Sequence, residues 1–176
     1  QIQALNTQQV AALPTASIKT LSTAQVQALT TTQVAGLNSA QLAALTTAQV
    51  SSLQTYQVIA LETADLVGLS SAQLQALSTD KISLWNAAQI GGLSSAQIRS
   101  LLTQQVTALT TAQVLALNSS QVLALTTAQL AAMRTDQISS LETWDIVALS
   151  ATQMANLRTD QLVSLGTQQV AALTSG

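Results

Sequence analysis

Residues 109–116 read Leu109-Thr-Thr-Ala-Gln-Val-Leu-Ala116, and residues 29–36 read Leu29-Thr-Thr-Thr-Gln-Val-Ala-Gly36. Lettered a to h from Leu5 onward, this octad runs through all 176 residues as 22 units without an insertion or deletion. Position a is Leu in 20 of 22 octads, and Trp85 and Met133 take the other two. Position c is Thr or Ser in 20 of 22, broken by Ala87 and Ala151. Position e is Gln in 18 of 22, broken by Ser17, Asp65, Lys81 and Asp145. Position f is always Val, Ile, Leu or Met, and h is mostly Ala, Gly or Ser. A short unit repeated this strictly cannot bury its apolar face alone, so copies must stack on copies.

Three features of the octad point to a helix. The hydroxyl at c, followed by helix formers, reads as an N-cap that accepts from the free N–H groups of the first turn. Positions d to a then give about two turns of helix, with b as the link and Pro14, at b, just outside it. Positions f and a lie three apart and share the apolar face, while a small h lets a neighbouring helix approach. Helices this short do not survive alone in water, so stability is shared along the array. The expected fold is all-α, a solenoid of short stacked helices, one per octad. A β-solenoid is the rival, since Val, Ile and Thr favour strands. Against it stand the missing strict alternation and a chain with only six Gly and one Pro for turns.

Gln at e sits on the border of the buried stripe, about 40° from a on a helical wheel. A half-buried amide needs partners, so a ladder of Gln bonds to backbone groups of an adjacent turn is expected. The alternative is a solvated Gln chosen for helix propensity.

A longer period lies above the octad. Asn38, Glu62, Asp65 and Asp80 return 80 residues later as Asn118, Glu142, Asp145 and Asp160. The array therefore reads as one domain over 1–176, with an 80-residue super-repeat at 1–80 and 81–160 and a partial third copy at 161–176. If each block spans whole turns of the solenoid, two or five octads per turn would fit.

Composition removes several function classes. There is no His and no Cys, so neither a Ser-His-Asp nor a Cys-His arrangement can be built. No Gly-rich phosphate loop is present. The expectation is no enzyme, no catalytic residue, no cofactor and no metal site. The net charge is −2, and Lys19, Lys81, Arg99, Arg134 and Arg158 are scattered, so a nucleic-acid partner is not expected. Polar residues interrupt every apolar run well short of the roughly 18 residues of a membrane span. The start at Gln1 lacks a charged n-region, so no signal peptide is expected in this stretch, which reads as cut from something longer.

The exceptions to the pattern read as local chemistry. Trp85 adds volume at a, with Gly91 and Gly92 as relief in the next unit. Tyr56 and Trp144 occupy the outward position d and are the candidate partner contacts, for protein or carbohydrate, with packing over a neighbouring helix as the plainer alternative. Glu62/Asp65 and Glu142/Asp145 have the spacing of a capping box. Asp80, Asp136 and Asp160 fall in first turns, where negative charge is favourable.

The stretches Leu29-Thr-Thr-Thr-Gln-Val34 and Leu109-Thr-Thr-Ala-Gln-Val114 resemble the short LTTAQV-type repeats of very large bacterial surface or secreted proteins described as adhesin-like. The resemblance covers the whole chain and implies an extracellular or cell-surface spacer or stalk without an active site. The same six residues also resemble the helix start of TAL-effector DNA-binding repeats, but those units are far longer and need basic residues that are missing here. Uncapped ends imply head-to-tail self-association. The second reading is a binding module that presents a Thr/Gln lattice to glycan, ice or another surface. It requires c hydroxyls that are not consumed as caps.

Overall fold

The computed structural model describes residues 2–173. Among the described residues the chain holds twenty short α-helices and two 3-10 helices, one per octad, and no strand. The all-α solenoid is therefore the fold, and the β-solenoid is excluded. Most helices are five or six residues long, as in Thr31–Ala35 and Ser39–Ala44. They are shorter than expected because a lies outside the helix in every octad but the last, where Thr167–Leu173 ends on it. Leu45 is extended, at φ −61° and ψ 140°, and its N–H closes the turn on Leu42 O at 3.2 Å. No described residue has a positive φ. The chain turns by alternating right-handed helical and extended residues, which any L-residue can adopt. That is why six glycines suffice.

The cap lies one position earlier than the hydroxyl at c suggests. Asn6, Ser22, Thr46 and Ser94, all at b, accept from the backbone N–H of the e residue, and c is the first helical residue. The reason lies in reciprocity. With b as cap, Gln at e falls at the third helical position, and its Oε1 accepts the N–H of b, completing a capping box. At the Thr46 helix these two bonds measure 3.2 and 2.6 Å. A cap at c would put Val or Leu in the reciprocating place.

The same logic corrects two exceptions. Pro14 is itself the N-cap residue. It has no N–H to donate, and the e residue of its octad is Ser17 rather than Gln. The Glu62/Asp65 and Glu142/Asp145 pairs form no box, and neither glutamate caps its helix. A box needs a short acceptor at b and a long one at e, and these pairs have the lengths reversed.

Helices stack on those three octads away: Thr7–Ala11 on Thr31–Ala35, Thr15–Thr20 on Ser39–Ala44, Ser119–Ala124 on Thr143–Ala148. Gln41 nevertheless bonds carbonyls 28, 30 and 31 residues back, at the end of the helix Thr7–Ala11 and at the Leu13 that follows it. One coil of the solenoid thus takes between three and four octads, neither two nor five. Ten octads then make close to three coils.

Position f forms the axis. From Val10 to Ile146 every f side chain is at most 1% exposed. Full burial of such a side chain contributes about 1.5–3 kcal/mol, so one or two per octad hold a helix that could not nucleate by itself. Position a makes the second buried row, from Leu29 to Leu157. At the h glycines, the preceding coil comes close enough to favour the smallest residue. A Cβ on Gly36 or Gly92 would come within 2.5 Å of the methyl of Thr7 or Thr63, both at c. The expected close approach at h is therefore real, and what it accommodates is the side chain at c.

Candidate functional site

The polar feature that recurs in every coil is the glutamine ladder. All fifteen e glutamines from Gln33 to Gln169 are 7% exposed or less, Gln33 being 2% exposed and Gln57 buried completely. Each is held at both ends. In Gln57, Oε1 accepts from Gln54 N at 2.8 Å, while Nε2 donates to Val26 O and Leu29 O, both at 2.8 Å. Gln105 repeats this on Leu102 N, Leu74 O and Leu77 O. One side chain therefore satisfies an orphan N–H at its own helix start and orphan carbonyls at a helix end in the preceding coil. Glutamate has no donor and lysine no acceptor, which accounts for the amide. The expected ladder exists, and the solvated-Gln reading does not hold for the buried rungs.

Where e is not Gln, the rung changes. Lys81 Nζ donates to Ser51 O at 2.5 Å, and burial pushes its pKa below the usual lysine value. Trp85, 2% exposed, donates its indole N–H to Val58 O at 3.0 Å. Gln89 bonds Ile59 O and Leu61 O, so Trp85 takes the neighbouring carbonyl. The two glycines do not relieve Trp85: a Cβ on Gly91 would meet Ala116 O at 2.8 Å, and one on Gly92 would meet Thr63. Their smallness serves contacts with neighbouring coils.

Arginine at b adds a further tie. Arg134 donates to Thr107 O in the preceding coil and pairs with Asp136 at 3.0 Å. Arg158 does the same with Ala131 O and Asp160. The guanidinium hydrogen bonds hold the carboxyls of Asp136 and Asp160 below the usual aspartate range, and Asp160 raises the pKa of Arg158. Asp80, Asp136 and Asp160 do lie in first turns.

Tyr56 and Trp144 both point outward, 49% and 69% exposed. The structure does not bring them together. Tyr56 leans on the preceding coil, its hydroxyl 3.4 Å from Gln27 O. Trp144 donates to Glu142 Oε2 at 2.6 Å and walls a shallow groove of about 500 Å³ with Leu115, Thr143 and Gly166. A similar groove, of about 390 Å³, flanks Glu62 80 residues earlier, without the aromatic. Position g was not singled out from the sequence, yet Ile59, Val67, Leu115, Leu123 and Val147 are each 44–56% exposed there. The signal available was their recurrence at one variable position. Among the described residues no three His, Cys, Asp or Glu side chains come together, and no helix is long and apolar enough to cross a membrane.

The run Ala44-Leu-Thr-Thr-Ala-Gln49 returns at 108–113 and 124–129. The family model described as ALTTAQ repeat matches residues 2–39, 28–55, 58–95, 86–119, 111–143 and 138–175. The chain belongs to the ALTTAQ repeat family. Each letter of the ALTTAQ repeat now has a physical place: the close-packed h, the buried a, the cap b, the first helical residue c, the outward d and the ladder e. No curated protein matches the chain.

Proposed function

We propose that this ALTTAQ array is a non-catalytic spacer or stalk segment of a large bacterial surface or secreted protein of adhesin-like type, working outside the cell. The observation that carries the reading is the ladder itself. A structure whose buried polar row bonds coil to coil gains length and stiffness, and among the described residues no three His, Cys, Asp or Glu side chains gather. Extra octads lengthen such a rod without altering the part already built. Arrays of one, two and three tandem copies, measured by small-angle scattering, should grow in length in equal increments. A particle that grows as a globule, with its longest dimension nearly unchanged, refutes the rod. Labelling intact cells of the source with an antibody to the array tests the location, and signal only after lysis refutes it.

Isolated copies associate head to tail in this reading. Gln9 and Gln25, in the first coil, are exposed and among the described residues bond their own caps, Asn6 and Ser22. Leu162 and Val170, f residues of the last coil, are 40% and 45% exposed. Gln1 and residues 174–176 lie outside the described residues. Light scattering at millimolar concentration should show oligomers, and a monodisperse monomer refutes the association.

One observation favours the second reading, a glycan- or ice-facing lattice. The c hydroxyls are not the caps, so they are not consumed in the way that would have removed it. A lattice of this kind predicts thermal hysteresis or saturable binding to a glycan surface, and loss of neither on replacing the c threonines refutes it.

A further inference from the structure

Two of the four exceptions at e, Asp65 and Asp145, break the pattern of donation to the preceding coil. Gln33 to Gln169 all donate to the preceding coil, and Lys81 keeps one such donation to Ser51 O. Aspartate cannot donate as a carboxylate, and it is one methylene shorter. The carbonyls that a glutamine at residue 65 would reach, by the spacing of 28 and 31 residues, belong to Leu37 and Val34. Asp65 has no hydrogen bond to another coil among the described residues, and its octad is a 3-10 helix, Thr63–Gly68. Gly68 lets this segment press onto the backbone of Ser39, where a Cβ would overlap. Thr63–Gly68 and Ser39–Ala44 thus touch closely, backbone against backbone, and among the described residues no side-chain rung from residue 65 crosses between them. At Asp145 the rung is replaced by one bond of opposite direction, from the hydroxyl of Ser119 to Oδ1 at 2.7 Å. Asp145 is 3% exposed.

The loss extends to the caps. In regular octads the N–H of b is held by the glutamine Oε1, as at Thr46 and Ser70. Glu62 and Glu142 have no such acceptor, because the residue at e is aspartate.

We propose that Asp65 and Asp145 are seams built into the solenoid, at which neighbouring coils part before any others. The Asp65 seam opens first because nothing replaces its rung, and the Asp145 seam follows because Ser119 holds it by a single bond. The same seam stands once in each 80-residue block, so the array yields in block-sized steps rather than coil by coil. The proposal does not depend on the spacer reading, and its test involves no cell or ligand.

The test is native-state hydrogen exchange on the whole chain, read by amide as urea is raised below the unfolding transition. Sub-global openings in repeat structures follow their weakest interfaces. The N–H of Glu62 should exchange roughly tenfold or more faster than those of Thr46 and Ser70, and the first opening boundary should fall at 62–65, the next at 142–145. Asp65→Gln should slow the Glu62 amide to the rate of its neighbours and erase the first boundary. Gln73→Asp is the converse variant and should create a new boundary at Ser70. Equal protection of Glu62 and Ser70 overturns the proposal. So does unchanged exchange in Asp65→Gln, or a Gln73→Asp variant that opens where the parent does.

Discussion

Replacing Gln57 by alanine removes one complete rung from the middle of the ladder. The side chain accepts from Gln54 N and donates to Val26 O and Leu29 O, each at 2.8 Å. Val26 O keeps a second partner, Leu29 N at 3.2 Å. Leu29 O and Gln54 N lose the side chain that pairs them. A fourth, longer bond runs to Gln27 O at 3.3 Å. The three short bonds at about 1 kcal/mol each give about 3 kcal/mol, and the groups left unpaired in a buried setting widen the range to about 2–5 kcal/mol. Gln57→Glu should cost more at neutral pH, since it places a carboxylate where the carbonyls need a donor. That excess should shrink in acid, because the substituted carboxyl has its pKa raised in the fold and is relieved as pH falls. The assay is urea unfolding followed by circular dichroism at 222 nm, compared with Gln104→Ala as control. Gln104 is exposed, at d, and its loss should change stability by about 0.5 kcal/mol or less. If Gln57→Ala costs no more than Gln104→Ala, the ladder does not hold the coils together and the account of e is wrong.

Other outcomes follow from the same geometry. Thr46→Ala removes a cap and should cost about 1 kcal/mol, while Thr47→Ala, one residue on at c, should cost clearly less in the same urea titration. Gly68→Ala forces a Cβ into the backbone of Ser39 and should cost about 1–3 kcal/mol or more. Gly36→Ala meets only the methyl of Thr7, which can rotate away, so thermal melts should rank it well below Gly68→Ala. Asp136 and Asp160 have carboxyls held low by Arg134 and Arg158. Their contribution is present above the ordinary aspartate pKa and is lost as pH falls through the lowered values. Both pairs are exposed, so the effect is small. Removing both arginines should flatten the fall in melting temperature between pH 5 and acid without otherwise changing its shape.

The helical solenoid, the buried rows f and a, and the ladder at e were legible because each rests on periodicity and on an amide too buried to be solvated. The cap register was misplaced by one residue, although the clue was present. Ser or Thr at b stands three residues before Gln, and reciprocity decides between b and c where hydroxyls occupy both. The pitch was not legible. It depends on how far each helix axis turns at an extended a residue such as Leu45, and no residue type encodes that angle alone. The outward placement of Tyr56 and Trp144 follows from position d, but the groove beside Trp144 arises from the offset between coils, which follows from the pitch. The acidic pairs have the spacing of a capping box but not its side-chain lengths, with the long side chain at b and the short one at e, so neither forms one.

The ladder also has a direction in time. Every e glutamine described, from Gln33 onward, donates to carbonyls that precede it by 28 to 31 residues, and its cap partner precedes it by three. A polypeptide emerging amino end first therefore meets each glutamine with its acceptors already waiting. No segment has to linger unpaired for a distant strand of sequence still to be made. Contacts this local make for rapid assembly. An array of any length can be wound up at its growing tip, whether that tip leaves a ribosome or a narrow export channel.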